Sequence, residues 1–318
     1  MPIPARLAGL RLPLVAAPMF LASGPDLVVE TCRAGVVGTF PTLNGRSTGQ
    51  FADWLDEIEA RLAPHPGASP FGVNLIVHRS NARMERDLEM VVAHKVPLVI
   101  TSLGAVSEVV QAVQSYGGLV FHDVINLRHA VKATEAGVDG IVAVAAGAGG
   151  HAGATHPFAL VQEIRSVFGG TVLMSGAIST GAQIAAARMA GADMAYMGTR
   201  FIATREAASP PAHKDMILAA RAADIIYTPA ISGVSANFLR SSIAAAGLDP
   251  DDLPQWEGGH RGREDRPKAW KNIWSAGQGV GVCDRILPVA DLCDELARDY
   301  DAAIAAMAAD PFRGRPRP

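Results

Sequence analysis

Eight short apolar runs, each followed by a longer amphipathic stretch, constrain the fold of this chain more than any other feature. The runs are rich in Val, Ile and Leu, which is typical of parallel strands buried on both faces. Segments of helical periodicity separate them, as in 51–62, 81–94 and 105–116. The predicted strands are 14–18, 36–39, 72–77, 98–101, 119–122, 140–143, 172–174 and 194–197.

Eight such units predict an α/β fold, the closed (β/α)₈ or TIM barrel. The alternative is an open doubly wound sheet, whose fingerprint G-x-G-x-x-G should follow the first strand. The first strand here ends in AAPMFLASG, which lacks that spacing. Because the strand rhythm stops after residue 204, we predict a barrel formed by 1–204 and 275–318. Residues 205–274 are predicted to be an inserted, mainly helical lid subdomain.

Composition narrows the class of protein. Of 318 residues, 49% are hydrophobic and 19% charged, so a large core can form, and the formal net charge of −3 argues against nucleic acid as a partner. Cys32, Cys283 and Cys293 show no C-x-x-C spacing, which argues against a disulfide framework or a metal site. No uninterrupted apolar run is long enough for a membrane span, and we expect a cytoplasmic protein.

The segment AVAAGAGGHAG, residues 143–153, is the first candidate for chemistry. It follows the sixth predicted strand with four glycines and His151. Glycine lets the backbone approach a flat ligand closely, and barrel enzymes place their catalytic groups at the carboxyl ends of strands. A tight turn carrying an incidental histidine explains the segment equally well from the residues alone.

Two further loops, MSGAISTG and YMGTRF, follow the seventh and eighth predicted strands. Barrels commonly bind phosphate at these two loops through backbone N–H groups. Gly176 and Gly198 would allow close backbone approach, and Thr199 would supply a hydroxyl. Either loop alone reads as an ordinary turn, but the two together favour phosphate binding.

Polar and rigid residues end other predicted strands. Ala17-Pro18-Met19 could support a flat ring, although packing at the barrel top is the simpler interpretation. Asn74 is a polar residue in an apolar run, and either a ligand or a neighbouring loop would satisfy its amide. His122 and Asp123 could face the site as a pair or bind the barrel rim. His156 is expected to flank the next helix and to be exposed.

These segments together resemble the FMN-dependent nitronate monooxygenases, formerly called 2-nitropropane dioxygenases. The matching segments are APM (17–19), FGVNLIV (71–77), GAGGHAG (147–153), MSGAISTG (174–181), YMGTRFIATRE (196–206) and WSAGQGVG (274–281). The resemblance implies oxidation of alkyl nitronates or nitroalkanes with O₂, with His151 as the catalytic residue. It also implies FMN contacts at Ala17, Pro18, Met19, Asn74, Gly149, Gly150, Ser175, Gly176, Ala177, Tyr196, Met197, Gly198, Thr199, Ser275 and Gln278.

The chain departs from that family at two positions, and the resemblance leaves alternatives open. Some relatives carry a basic side chain at the position of Asp123 or a glutamine at that of Val144. Close cousins are NAD(P)H-dependent reductases of quinones or enoyl thioesters, and the basic loop 261–271 would suit nucleotide phosphates unless it is simply a solvated loop. A non-catalytic flavin-binding module is the other alternative. A homodimer is left open.

Overall fold

The computed structural model describes residues 3–253 and 269–312, and its central element is a ring of eight parallel strands. From the second strand onward, each strand of the ring pairs with the next, and the last pairs with the first. The strands are β1 (Leu14–Ala16), β2 (Thr39–Pro41), β3 (Gly72–Ile76), β4 (Leu98–Ser102), β5 (Leu119–Val124), β6 (Gly140–Val144), β8 (Thr171–Ser175) and β9 (Met194–Met197).

The barrel closes between β1 and the segment that leads into β2. Val15 and Val37 form a parallel bridge, and the Ala16 N–H donates to the Val37 carbonyl at 2.9 Å. The prediction of a (β/α)₈ barrel is therefore confirmed, with every predicted strand observed within a few residues of its expected position. The seventh and eighth barrel strands are β8 and β9.

Helices surround the ring and alternate with its strands. Several begin at polar side chains that accept the first free backbone N–H groups, such as Ser47, Asn126 and the Thr180–Gln183 capping box. The helices of the barrel are α1 (Pro25–Arg33), α2 (Thr48–Leu62), α3 (Met84–Ala93), α4 (Ser107–Gln114), α5 (Leu127–Glu135), α6 (Pro157–Val167), α7 (Gly181–Met189), α8 (Thr199–Ile202) and α11 (Val289–Ala308).

Alternation along the strands divides the core into two layers. Side chains that point into the ring form one buried cluster, which includes Ile100, Phe121 and Val142. Side chains that point outward pack against the helices in a larger cluster, which includes Val99, Val120 and Val124. Successive residues of a strand therefore face either the barrel interior or the helix layer.

The amino-terminal end of the ring holds two carboxylates that each accept hydrogen bonds from two donors. Asp193 Oδ2 accepts from the Arg165 guanidinium at 2.5 Å and from the Val172 N–H at 2.8 Å. Asp139 Oδ2 accepts from the Val120 N–H at 2.8 Å and from the Gln114 amide at 3.1 Å. Each carboxylate thus ties the start of one strand to its neighbours.

The described part of 205–274 contains two helices, α9 (Pro211–Ala219) and α10 (Arg240–Ala245), and also a β-hairpin that was not predicted. The hairpin strands are β10 (Ile225–Thr228) and β11 (Ala236–Leu239). β11 also pairs with β7 (Gly150–His151), so a three-stranded antiparallel sheet joins the insertion to the barrel. The hairpin strands have four residues each, and part of their pairing is with the distant β7, which explains why the local pattern did not reveal them.

The structure does not test two of the sequence predictions, the basic loop and the domain boundaries. Residues 261–268 of the basic loop lie outside the described residues. The division of the chain at 204 and 274 stays a prediction. Within 3–253 and 269–312, no helix is both long and apolar enough to cross a membrane.

Candidate active site

His151 lies in the loop that follows β6, where the chain makes two left-handed turns. Gly147 and Gly150 have φ values of 82° and 70°, which a residue with a side chain rarely adopts. After the second turn, His151 pairs with Ala236 of β11. The short ladder therefore fixes the backbone that carries the imidazole.

The His151 ring meets an aromatic neighbour and keeps an exposed face. The Trp270 ring lies edge-on to it, with 4.9 Å between ring centroids and 72° between planes. The side chain as a whole is exposed, yet partial loss of water lowers the pKa of His151 from its ordinary value. Because the shift favours the uncharged ring, His151 is neutral at neutral pH and can accept a proton.

Ser275 joins the His151 loop to the hairpin and to helix α9. Its hydroxyl accepts from the Gly150 N–H at 2.6 Å and donates to the Asn237 carbonyl. Its carbonyl accepts from His213 Nε2 at 3.1 Å. His213 is buried, and burial lowers its pKa to about 4, so this ring is a neutral donor. Ser275 thus orients the residue that precedes His151.

The segment 276–279 crosses over two glycine-rich loops at backbone distance. The Gly147 carbonyl accepts from the Gln278 N–H at 2.9 Å and from the Ala177 N–H at 3.3 Å. A Cβ on Gly277 would lie 2.6 Å from the Gly147 carbonyl oxygen, and one on Gly149 would lie 3.0 Å from the Gly277 nitrogen. Glycines are therefore needed on both sides of this crossing.

The predicted phosphate loops meet at the same end of the barrel. Gly176 and Ala177 have φ values of 124° and 55°, and a Cβ on Gly176 would lie 2.6 Å from the Ala146 oxygen. Thr199 Oγ1 accepts from the Gly277 N–H at 2.8 Å. A hydroxyl that accepts one hydrogen bond keeps its own proton free to donate to a ligand.

The Ala17–Met19 segment packs against the turn after β9. A Cβ on Gly198 would lie 3.5 Å from Met19 Sδ and 3.6 Å from Ala17 Cβ, which is ordinary contact. Asn44 holds the loop, since its amide donates to the carbonyls of Met19 and Ser23 and accepts from the Leu21 N–H. Ala17, Pro18 and Met19 are all partly exposed, so they form an open apolar surface.

Asn74 belongs to a polar chain on the inner face of three strands. Its amide donates to the Ile100 carbonyl at 3.0 Å and to Ser102 Oγ at 2.7 Å, and Ser102 Oγ donates to Asp123 Oδ2 at 2.6 Å. Burial raises the pKa of Asp123 to about 6. Its second oxygen, Oδ1, is buried and has no hydrogen-bond partner among the described residues.

His122 and Asp123 do not form a pair. As neighbours on β5 they point to opposite faces, so His122 lies on the helix side with its Nδ1 2.8 Å from Thr101 Oγ1. Burial lowers the pKa of His122 to about 4. The interpretation in which Asp123 orients His122 at the site is therefore wrong. His156 is exposed and caps α6 by accepting from the Phe158 N–H, as predicted.

Other predicted contact residues differ in what they can offer a ligand. Tyr196 lies in the barrel interior, and burial together with the Asp123 charge raises its pKa well above the ordinary value. The Met197 side chain packs in the helix-facing cluster, so only its backbone faces the loop region. Ser175 is buried at the end of β8, whereas Gln278 is exposed.

Four residues that the sequence analysis did not single out help to build the site. Asn44 and Ser102 sit after predicted strands, where a polar residue in an apolar context was the available signal. Asn237 donates to the Ala148 carbonyl at 2.6 Å, and Trp270 contacts His151. Both lie in the insertion, where no local pattern pointed to the site.

The described residues include one group with metal-ligand chemistry, and it lies away from this end of the barrel. Asp56 and Glu59 of α2 lie beside His94 at the end of α3. His94 Nδ1 is 3.3 Å from Glu59 and 3.9 Å from Asp56, at partly or fully exposed positions. Ordinary ion pairing on the surface accounts for this group.

The sequence of this chain is similar to those of known proteins. The sequence model of the nitronate monooxygenase family matches residues 79–299. A nitronate monooxygenase of Paraburkholderia phytofirmans is 29% identical, and the alignment covers 94% of each chain. A Mycobacterium tuberculosis protein named as a monooxygenase is 35% identical over 157 residues, which is 49% of this chain and only 42% of that protein.

Solved structures share the fold. FabK of Thermotoga maritima superposes with a TM-score of 0.79 at 22% identity, covering 95% of this chain and 97% of that one. A nitroalkane oxidase of Streptomyces ansochromogenes superposes with a TM-score of 0.74 at 25% identity, covering 93% of this chain and 97% of that one. At these identities the FabK likeness speaks for the barrel alone.

Proposed function

This chain belongs to the nitronate monooxygenase family of oxidoreductases, and from that premise we propose that it is an FMN enzyme that oxidises alkyl nitronates or nitroalkanes with O₂. The observation that carries the proposal is the position of His151. A neutral, exposed imidazole stands at the carboxyl end of β6, beside two glycine-rich loops suited to a phosphate. Its substrate partners are thus a small nitro compound and O₂.

The residues at this end of the barrel fit FMN. The Asp123 oxygen without a partner calls for a ligand with a donor, and the open surface of Ala17, Pro18 and Met19 suits a flat ring. Thr199, with its free proton, suits a phosphate. The proposed FMN contacts include the backbone of Gly149, Gly150, Gly176, Ala177, Met197 and Gly198, and the side chains of Asn74, Ser175, Tyr196, Ser275 and Gln278.

His151 has two ways to serve the reaction. With a neutral nitroalkane, its unprotonated ring nitrogen removes the proton on the carbon next to the nitro group. With a substrate that arrives as an anionic nitronate, the N–H of the same ring donates a hydrogen bond to a nitronate oxygen. FMN, when bound, supplies the electron transfer to O₂. Trp270 packs against the imidazole and helps to hold its orientation.

Two mixing experiments with the purified yellow protein distinguish this function from its alternatives. Under anaerobic conditions, we expect NADPH not to bleach the flavin. In air, we expect oxygen uptake when propionate-3-nitronate is added. Bleaching by NADPH alone would instead support a reductase of quinones or enoyl thioesters. No reaction with either compound would leave a flavin-binding module, and a protein that cannot bind FMN would end the proposal.

The role of His151 is tested by substitution and by pH. His151→Ala should lower kcat/KM for a neutral nitroalkane by about 10²–10⁴-fold, the usual contribution of a general base. Because burial lowers the pKa of His151, kcat/KM should rise with pH through a value below 6.5 and stay level above it. Full turnover of the variant with a neutral nitroalkane would exclude His151 as the base.

A further inference from the structure

The strongest unexplained feature of the barrel interior is the second oxygen of Asp123. Oδ2 is satisfied by Ser102 at 2.6 Å, while Oδ1 is buried without a partner among residues 3–253 and 269–312. Buried polar atoms in native proteins nearly always have a partner, and an unpaired carboxylate oxygen is especially costly. Oδ1 is therefore expected to meet a donor that the described protein does not provide.

The surroundings of Asp123 show which kind of donor is missing. No described cation forms an ion pair with it. Burial raises its pKa to about 6, and the hydrogen bond from Ser102 opposes that rise only in part. Tyr196 lies close enough for the Asp123 charge to raise its own pKa, yet its hydroxyl forms no described hydrogen bond to Oδ1. With no described cation or donor bound to Oδ1, the carboxylate suits a neutral N–H group of a ligand.

The order of strands places the His151 loop between Asp123 and the phosphate loops. Around the ring, β9 and β8 carry the glycine loops, β6 carries His151, and β5, β4 and β3 carry Asp123, Ser102 and Asn74. A ligand whose phosphate lies over β8 and β9 and whose reactive centre reaches His151 extends toward β5. Its far end must then present a donor to Oδ1.

The pyrimidine edge of a flavin has one such donor, the N3–H between two carbonyl groups. We propose that Asp123 binds this edge of the flavin, with Oδ1 accepting the hydrogen bond from the ring N3–H. The inference rests on the proposed FMN function and adds a residue to it. Ser102 and Asn74 are positioning residues that hold the carboxylate through Oδ2.

A carboxylate at this place has a consequence for the flavin. Reduction adds negative charge to the pyrimidine ring, and a neighbouring negative charge disfavours that addition. Asp123 should therefore lower the midpoint potential of the bound flavin relative to a neutral residue of the same shape. A carboxylate remote from the flavin ring would change the potential far less, because the interaction falls with distance.

The first test compares the affinities of the protein for FMN and for 3-methyl-FMN, which lacks the N3–H. A charge-assisted hydrogen bond predicts that the wild-type apoprotein prefers FMN by about tenfold or more. In Asp123→Ala the preference should shrink to about twofold or less, because the acceptor and its bulk are gone. Asp139→Asn, a carboxylate of similar exposure at the other end of the barrel, is the matched control and should keep the preference.

The second test measures the midpoint potential of the flavin in Asp123→Asn, which keeps the side-chain shape and removes the charge. We expect the midpoint potential to rise by about 30 mV or more. For a two-electron couple, this equals a tenfold increase in the affinity of the protein for reduced flavin relative to oxidised flavin. If Asp123→Ala fails to fold, the potential of Asp123→Asn and the preference of the wild type for FMN over 3-methyl-FMN still test the role of Asp123.

Two results would overturn the inference while leaving the proposed function intact. One is equal affinity of the wild type for FMN and 3-methyl-FMN, and the other is an unchanged potential in Asp123→Asn. Loss of the preference in Asp139→Asn would equally count against a local role of Asp123. Failure of the wild type to bind any flavin would instead overturn the proposed function, and this inference with it.

Discussion

The carboxylates at the two ends of the barrel differ in their hydrogen-bond partners. At the amino-terminal end, Asp193 and Asp139 each accept from a side-chain donor and from a strand N–H. At the carboxyl end, Asp123 has one oxygen bonded to Ser102 and one with no described partner. Donors from the protein bind the first two carboxylates, whereas Oδ1 of Asp123 needs a donor from a ligand.

Backbone strain is more frequent at the carboxyl end of the barrel. Of the five described residues with a side chain and a positive φ, Leu21, Leu103 and Ala177 lie in loops after β1, β4 and β8, whereas Lys95 precedes β4. Such conformations cost free energy and persist where the surrounding structure imposes them, often at functional sites. The difference agrees with the proposed site at the carboxyl end, the end at which enzymes of this fold carry their catalytic groups.

The largest expected effect lies at the amino-terminal end. Asp193→Ala removes the partner of Arg165 and of the Val172 N–H, and should lower the free energy of unfolding by about 3–5 kcal/mol. Urea denaturation measures the loss. Turnover per folded molecule should stay near that of the wild type, and a selective loss of turnover would break the division between the two ends.

Ser275→Ala tests the carboxyl end through the anchor of the His151 loop. It removes the acceptor for the Gly150 N–H and the donor to Asn237, at a cost of about 2 kcal/mol. Since His151 follows Gly150 directly, kcat should fall by about tenfold, a barrier increase of about 1.4 kcal/mol. Ser242→Ala is the matched control, because this buried serine accepts from the Trp274 N–H and should reduce stability without the loss in kcat.

Asp123→Asn should stabilise the flavin-free protein, in contrast to Asp193→Ala. The folded pKa of Asp123 is about 6 against an ordinary 3.8, so its ionisation costs stability as pH rises through that interval. The full shift is worth about 3 kcal/mol, and partial exposure reduces the expected gain to about 1–2 kcal/mol. Thermal denaturation should show this gain above pH 6 and none below pH 4; destabilisation at pH 8 would contradict it.

The smallest effect is expected at His156, five positions after His151. His156→Ala removes a weak cap at the start of α6, a bond of 3.3 Å, and should cost about 0.5 kcal/mol. Oxygen uptake with a nitronate should change by less than about twofold, since an exposed cap carries no chemistry. A loss of turnover as large as that of His151→Ala would show that loop integrity, not the His151 imidazole, supports activity.

Particular residues show how far sequence patterns reach. His151, Gly176 and Gly198 were predicted at strand ends, because strand periodicity and glycine placement are local properties of the chain. Asp123 and His122 were predicted as a possible pair, and the alternation of β5 separates them. Asn44 was missed because its role depends on the Met19 carbonyl, which the sequence does not place beside it.

The sequence by itself determined the eight βα units and the positions of the glycine loops. Apolar periodicity and the placement of glycine depend only on residues close together in the sequence. The family resemblance rests on the same segments. Only the tertiary structure decided that the β10–β11 hairpin holds His151 in place and that Trp270 contacts its ring. It also decided that one oxygen of Asp123 remains free, because pairing between distant segments depends on closing the barrel.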